Sequence, residues 1–215
     1  QEQIITFLKR YGRTIIAIVV LSITALGGYN YWQSQVQDKR EAESTRFVAA
    51  VGLMADGELM AAADRFAAIE YDTGRQGYGM LAGFRKADAL AQSGDIAGGV
   101  AAYDAIAADS GIEEFYRDLA RIWAANLLVN MASPEEIDER LLRLSGEDSN
   151  HRFSALELRA TAHFRARNIE NSRVLFELVS EGAPISSGAR LRATQMLGIL
   201  RPLVETVSVK NPLPR

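Results

Sequence analysis

The sequence predicts an all-α protein, with one N-terminal transmembrane helix followed by a solenoid of helical hairpins. Three observations lead to this prediction. An uncharged apolar stretch precedes a long body that is rich in Ala, Leu, Glu and Arg. That body lacks the alternating Val, Ile and Thr runs that are typical of strands. Similar segments recur in it at spacings of 37, 38 and 35 residues, as expected for stacked repeats.

The apolar stretch at residues 14–33 is the expected transmembrane helix. The chain carries no charge from Thr14 to Gln37, a run of 24 residues, and about 20 apolar residues cross a bilayer core. Tyr11 before it and Trp32 after it suit the two water interfaces. A cleaved signal peptide would be shorter and end in small residues, and a buried soluble helix seldom lacks a polar face, so both alternatives fit less well.

The flanking charges predict the orientation. Residues 1–13 contain Lys9, Arg10 and Arg13, so the positive-inside rule places this segment in the cytoplasm. We therefore expect a single-pass inner-membrane protein whose C-terminal body is periplasmic. Lipid is then one partner.

Thr24 and Gly28 form a pair of small residues four positions apart within this stretch. Such a pair is typical of a contact between membrane helices, although chance explains it equally well.

Composition argues against several functions. The net charge is −3, and a mildly acidic body is unsuited to nucleic acid. The chain has no cysteine and two histidines, His151 and His163, without metal-ligand spacing, so we expect no metal and no other cofactor. We also expect no small-molecule substrate.

Glycine, proline and capping residues mark the turns between helices. The segments "MADGELMAA", "QSGDIAGG" and "MASPEEID" each indicate a helix end, a short turn and a new helix start. In the last, Ser133 is the expected N-cap, Pro134 the first helical residue and Glu136 the capping-box residue.

The recurring unit is a helix-turn-helix with small and large residues at fixed positions. The first helix has a small residue followed three positions later by a larger one; these pairs are Ala50 and Leu53, Ala87 and Leu90, Ala125 and Leu128, Ala160 and His163. The second helix has a mostly small residue, a bulky one four positions later and an apolar one three after that; these sets are Ala62, Phe66 and Ile69; Gly99, Tyr103 and Ile106; Ile137, Leu141 and Leu144; Ser172, Phe176 and Val179. Small residues let the helices of a unit approach, and bulky ones fill the groove to the next unit.

These positions resemble the tetratricopeptide (TPR) pattern, including turn residues Gly57, Gly94 and Asn168. The units are degenerate, because they exceed the usual length, lack an early aromatic residue and place Ile137 where a small residue belongs. We expect a TPR-like domain at residues 34–201, closed by the helix "SSGARLRATQMLGIL", and an irregular tail at residues 202–215.

From about Ile4 to Leu200 the chain resembles the ancillary SecYEG translocon subunit family (YfgM-like proteins). The resemblance lies in the pattern "FLKRYGRTIIAIVVLSITALGGYNYWQSQ", the polar helix "DKREAESTRFVAAVGLM" and the degenerate repeats, with "YG" and "GYNYW" as its most specific elements. It implies a non-catalytic protein that associates with SecYEG and the periplasmic chaperone PpiD and assists exported proteins.

The residues themselves indicate binding rather than catalysis. His163 is expected to be a packing histidine, and the acids of "SPEEIDER" to stabilise a helix start. We expect the first helices of the units to form a concave protein-binding face, unless its side chains are merely solvated. It comprises Phe84, Asp88, Gln92, Asn126, Asn130, Thr161 and Arg165. Trp123 and Phe115 are expected to be core residues.

Two functions follow from this reading. One is a membrane-anchored interaction module that works beside the translocon. The other is a structural accessory subunit of a larger inner-membrane complex, respiratory or photosynthetic, bound through its transmembrane helix. An enzyme is not expected, because no nucleophile with a base is found.

Overall fold

The computed structural model describes the backbone of residues 2–74 and 77–210, and the side chains of Leu21 and of residues 26–74 and 77–203. These parts of the chain are helical and contain no strand. Within the described backbone lie nine α-helices: α1 (Glu2–Ala55), α2 (Leu59–Thr73), α3 (Tyr78–Gln92), α4 (Ile96–Ala108), α5 (Glu114–Leu128), α6 (Pro134–Leu141), α7 (Arg152–Arg165), α8 (Ile169–Gly182) and α9 (Gly188–Lys210).

The chain divides into two compact units, of which the first ends at Val48 and the second begins at Ala49. Helix α1 contains this boundary. Over the side chains that the structure describes, no helix is both long enough and apolar enough to cross a membrane. More than half of the expected span at residues 14–33, namely residues 14–20 and 22–25, lies outside the described side chains.

The second unit is a stack of helical hairpins. Helices pack in chain order, α2 on α3, α3 on α4, α4 on α5, α7 on α8 and α8 on α9. In addition, α5 contacts α7, the first helix of the next hairpin, and α7 contacts the closing helix α9. The predicted hairpin stack of an all-helical chain is therefore confirmed for these residues.

The small residues allow close contact within a hairpin, as predicted. A Cβ atom on Gly99 would lie 3.0 Å from the carbonyl oxygen of Ala87. In the fourth hairpin, the hydroxyl of Ser172 donates to the carbonyl of Ala160 at 2.9 Å. In both cases the small residues of the two helices touch directly, which fixes the distance between the helix axes.

The bulky residues of the second helices form the core. Phe66, Tyr103, Leu141 and Phe176 are each at most 1% exposed. Burying one such side chain contributes roughly 2–3 kcal/mol. Tyr103, Leu141 and Phe176 each lie in a cluster that joins neighbouring helices, so adjacent hairpins stabilise one another.

Two of the three helix starts that were expected to be capped have a side-chain cap, and Glu58 before α2 makes no such hydrogen bond. Ser133 Oγ accepts a hydrogen bond from the N–H of Glu136 at 3.2 Å, and Pro134 is the first residue of α6. Asp95 caps α4 by accepting from the N–H of Gly98 at 2.8 Å. These side chains satisfy N–H groups that have no partner within their helix.

The turn of the fourth hairpin differs from its prediction. Gly57 and Gly94 have φ of 81° and 97°, and the residue in the equivalent conformation is Arg167, with φ of 63°. Asn168 instead occupies the N-cap position of α8. Asn168 was expected at the turn position, but Arg167, one residue earlier, occupies it. The position that is glycine in the other two turns is therefore an arginine here.

The third hairpin accommodates Ile137 by departing from the regular pattern. Ile137 is fully buried, α6 is only 8 residues long, and a 3-10 turn follows at Arg143–Ser145. Helices α5 and α6 pack less extensively than α3 and α4. A larger residue at the close-contact position thus coincides with a shorter, looser hairpin.

The closing helix is longer than predicted. Helix α9 continues to Lys210 through Pro202, so residues 202–210, expected to be an irregular tail, are helical. Proline removes one N–H donor, but its φ is compatible with the helix, which allows the helix to continue beyond it. Residues 211–215 lie outside the described part of the chain.

Candidate functional site

The candidate site is the exposed side of α3, α5 and α7, which we name the first-helix surface. Contacts between its residues join the three helices. Phe84 of α3 packs on Trp123 of α5 with ring centroids 5.3 Å apart, and Arg165 of α7 donates to the carbonyl of Val129 after α5. The predicted face residues thus lie on helices that are in direct contact.

Trp123 is the exposed ring of this surface. Its side chain is 37% exposed, whereas Phe84 is 6% exposed. Phe84 and Tyr103 meet the Trp123 ring in edge arrangements at 81° and 86°, a favourable aromatic geometry. The roles expected from the sequence are thus exchanged, because Phe84 is core and Trp123 lies at the surface.

A signal for Trp123 was present in the repeat register. Trp123 occupies the position of Arg85 on α3, and Arg85 is exposed. Phe115, also expected in the core, is 42% exposed and lies against His151 with ring centroids 4.9 Å apart. For both rings, aromatic character suggested burial where helix position indicated exposure.

Asp88 holds the cluster of Phe84, Tyr103 and Trp123 in place through a hydrogen bond to Tyr103. The Tyr103 hydroxyl donates to Asp88 Oδ1 at 2.5 Å. Burial and then this hydrogen bond raise the pKa of Tyr103 well above its ordinary value. Tyr103 therefore remains a protonated donor at physiological pH, and Asp88, which is half-buried, is engaged within the fold rather than free in the site.

The predicted face carries three amides, which are exposed polar groups. Gln92, Asn126 and Asn130 are exposed. Among the described side chains, none of the three makes a hydrogen bond. Trp123 and Asn126 lie three positions apart on one side of α5, and Asn130 lies in the turn after that helix. The ring and the two amides are exposed and available to a partner.

Thr161 and Arg165 extend this surface onto α7 but are engaged locally. The Thr161 hydroxyl donates to the carbonyl of Glu157 at 2.8 Å. Arg165 Nη1 donates to the carbonyl of Val129, the C-cap residue of α5. A cation at a helix C-terminus is favourable because the last carbonyls lack partners and carry partial negative charge.

The predicted membrane-helix contact at Thr24 and Gly28 lies only partly within the described side chains. The side chain of Thr24 lies outside the described residues. Gly28 is exposed, and a Cβ atom there would meet nothing within 4 Å. The contact stays a prediction.

Comparison with known families decides the classification of the chain. A model described as a tetratricopeptide repeat-like domain matches residues 6–180. The chain belongs to this family. No curated protein and no solved structure matches it. Such TPR-like domains are typically non-catalytic and bind other proteins, which agrees with a first-helix surface that offers a ring and amides.

The TPR-like domain also contains a cleft of about 350 Å³ between α4, α5 and α6. Its polar lining consists of Asp104, Arg121 and Arg140. Arg140 Nη1 lies 2.9 Å from Asp104 Oδ1, and Arg121 donates to Asp118 at 2.6 Å. Since these charges are paired within the domain, the cleft is a weaker candidate than the first-helix surface.

A partly buried polar network joins the third and fourth hairpins of the TPR-like domain. His163 Nε2 donates to Asp138 Oδ2 at 3.1 Å, and Arg159 Nε donates to Asp138 Oδ1 at 2.7 Å. Burial raises the pKa of the Asp138 carboxyl, but the hydrogen bonds from Arg159 and His163 outweigh it and hold that pKa below its ordinary value. His163 thus has the packing role expected of it, with a polar partner.

Proposed function

We propose that this chain is a membrane-anchored, non-enzymatic interaction module whose TPR-like domain binds protein partners through the first-helix surface. The domain faces the periplasm and works beside the SecYEG translocon and a PpiD-like chaperone. There it assists exported proteins as they leave the channel.

The observation that carries the proposal is the exposed Trp123 and Asn126 on α5, with the exposed Asn130 in the turn after that helix. Tryptophan is enriched among the residues that dominate binding energy at interfaces. Phe84 and Tyr103 hold the Trp123 ring in place. The ring therefore loses little conformational freedom when a partner binds. A fixed ring beside free amides supports protein binding.

The apolar stretch supports the anchoring part of the proposal. Leu21, Tyr31 and Trp32 are 72%, 70% and 64% exposed on α1. Water is an unfavourable surrounding for so many large apolar groups in one segment, whereas lipid suits them. The family match begins at residue 6, so the matched region includes this stretch.

The translocon part of the proposal rests on the resemblance of the segments "YG" and "GYNYW", and of the chain arrangement, to the YfgM-like proteins. The basic residues before the stretch support a periplasmic domain, through the positive-inside rule.

Site-specific photocrosslinking in intact inner membranes tests the proposal. A photoreactive residue replaces Asn126 on the first-helix surface, or Glu139 on the exposed side of α6 as the control. We expect adducts from position 126 that contain translocon subunits, a periplasmic chaperone or exported proteins, and at least fivefold fewer from position 139. Equal yields at the two positions, or none at 126, contradict the proposal.

Two further results bear on the anchor and on the partner. Protease added to spheroplasts should digest the TPR-like domain, and its protection would contradict the periplasmic placement. If purification in mild detergent instead recovers the chain in fixed stoichiometry with pigment or redox subunits, the chain is an accessory subunit of such a complex.

A further inference from the structure

We infer that the outer side of α9 binds an acidic amphipathic helix of a partner protein, which packs there as the second helix of a fifth hairpin. We name this side the closing-helix face, and it comprises the exposed residues Leu191, Gln195, Gly198 and Ile199. None of them belongs to the first-helix surface, so the inference goes beyond the proposed function.

Gly198 continues the register of the small residues in the first helices. It follows Ala160 by 38 positions, within the range of 35 to 38 that separates the earlier units. In the second hairpin, Gly99 lies close against Ala87, and in the fourth, Ser172 bonds to the carbonyl of Ala160. The small residue of a first helix is thus where the second helix approaches, and α9 has such a position.

The close-contact position of α9 is open. In each of the four hairpins, the second helix begins nine residues after the small residue of the first, at Leu59, Ile96, Pro134 and Ile169. Helix α9 instead continues to Lys210, so within the described part of the chain no second helix turns back onto Gly198. A Cβ atom on Gly198 would meet nothing within 4 Å.

The closing-helix face lies opposite the side of α9 that packs on the fourth hairpin. Ala193 and Leu200 are fully buried in a cluster with residues of α8, whereas Leu191 and Ile199 are 61% and 53% exposed. The last helix of a solenoid normally has a polar outer side. Large apolar residues beside an open glycine favour a close-packed helix. An interfacial membrane helix would need a broader apolar face, without Gln195 within it.

The charge of α9 indicates that the partner helix is acidic. Residues 188–203 contain three arginines and no carboxylate, whereas every second helix of this chain is net negative, from −1 for α4 to −3 for α6. Arg192 bonds to Glu157, but Arg201 contacts no carboxylate among the described side chains. Complementary charge favours an acidic partner. A second copy of α9 would present the same basic side, which disfavours pairing of two closing-helix faces.

A peptide with the sequence of α8 tests this inference, because α8 is a second helix of net charge −2. The full-length chain is placed in phosphatidylcholine nanodiscs, and fluorescence anisotropy follows peptide binding. We expect saturable binding, at least tenfold tighter than that of the same peptide with Glu170→Lys, Glu177→Lys and Glu181→Lys. Affinity should fall several-fold between about 50 and about 500 mM salt, because ionic attraction is screened.

Variants of the chain assign the binding to the closing-helix face. Gly198→Leu fills the open position, so it should lower the peptide affinity at least tenfold without lowering the urea midpoint of unfolding. Arg201→Gln should weaken binding several-fold and reduce its salt dependence. Gly52→Leu is the matched control, because a Cβ atom there also meets nothing within 4 Å, and it should change the affinity less than twofold.

Absence of peptide binding overturns the inference, as does equal affinity for the two peptides or an unchanged affinity in Gly198→Leu. Loss of binding when phosphatidylglycerol replaces phosphatidylcholine would assign the face to a lipid surface. A dimer in sedimentation that Gly198→Leu dissociates would assign it to a second copy, and either result overturns the inference. The crosslinks from Asn126 are the separate test of the proposed function.

Discussion

The second and fourth hairpins have the same turn geometry with different residues. In the second, the N–H of Gly94 donates to the carbonyl of Ala91 at 3.1 Å, and in the fourth, the N–H of Arg167 donates to the carbonyl of Phe164 at 3.0 Å. Both turn residues have positive φ, 97° and 63°. The hydrogen-bond pattern of the turn is thus kept although glycine, which adopts this conformation without steric cost, has been replaced.

The same difference continues into the helices. The close contact is made by Gly99 and Ala87 in the second hairpin, and by a Ser172 hydrogen bond to Ala160 in the fourth. At the turn and at the close-contact position the fourth hairpin is the more polar, and its buried Ser172 and His163 each bond to a neighbour. The comparison teaches that residue size at fixed positions sets the geometry, while polar residues are accepted there when they have a partner.

The largest effect on stability is expected when the bulky ring of the second or the fourth hairpin is removed. Phe176→Ala and Tyr103→Ala should each lower the free energy of unfolding by about 4 kcal/mol, because each leaves a cavity in a close-packed core. Urea unfolding of the full-length chain in detergent, followed by helical circular dichroism, measures it. Tyr71→Ala, which truncates an exposed ring, is the control and should lie within about 0.5 kcal/mol of the parent chain. A loss below about 1 kcal/mol for either core variant contradicts the equal role of the two rings.

The next test enlarges the close-contact residue. Gly99→Val and Ser172→Val should each lower the free energy of unfolding by about 2–3 kcal/mol, because the added methyl groups meet the backbone of the facing helix. The same urea titration applies. Gly52→Val is the matched control, since a Cβ there meets nothing within 4 Å. If Ser172→Val is tolerated while Gly99→Val is not, the fourth hairpin does not depend on close approach.

Positions whose packing depends on residue size could be predicted from the sequence. Contacts that depend on the direction in which a long side chain extends could not. Ala87 and Gly99 recur in register with Ala160 and Ser172, since every hairpin must solve the same packing problem. The end point of a long side chain such as Arg165 depends on which carbonyl of a neighbouring helix lies within reach. Only the folded arrangement supplies that information.

The exposed residues of the first-helix surface were partly predictable from the same repeat register. Asn126 and Asn130 are exposed as the register required. Trp123 follows from the same register, but its apolar ring favoured the core interpretation. For Trp123 and Phe115, helix position was the better guide to exposure, whereas Phe84, which was also placed on the face by its helix position, is buried.

A smaller effect is expected from the polar network that joins the third and fourth hairpins. Asp138→Asn should lower the free energy of unfolding by about 1–2 kcal/mol at pH 7, since charge-assisted hydrogen bonds are lost and the group is partly exposed. Arg159 and His163 hold the pKa of Asp138 below its ordinary value. This stabilisation is therefore complete above the unfolded-state pKa of about 3.9 and is lost as the pH falls through the lower folded-state pKa.

Urea unfolding between pH 7 and pH 3 measures this dependence. The difference between the parent chain and Asp138→Asn should shrink below about pH 4. Glu139→Gln removes the same charge from an exposed neighbouring position and should have little effect at any pH. A difference that persists undiminished at pH 3 would exclude the carboxylate as its source.

The smallest effect concerns the turn of the fourth hairpin. Arg167→Gly should raise the free energy of unfolding by about 0.5–1 kcal/mol, because an L side chain is strained at a φ of 63° and glycine is not. The gain is limited because glycine also has more conformational freedom to lose on folding. The reverse change, Gly94→Arg, should lower the stability of the second hairpin by a similar amount. If both substitutions destabilise, Arg167 makes a compensating interaction and the two turns are not equivalent; opposite signs confirm that backbone conformation alone distinguishes them.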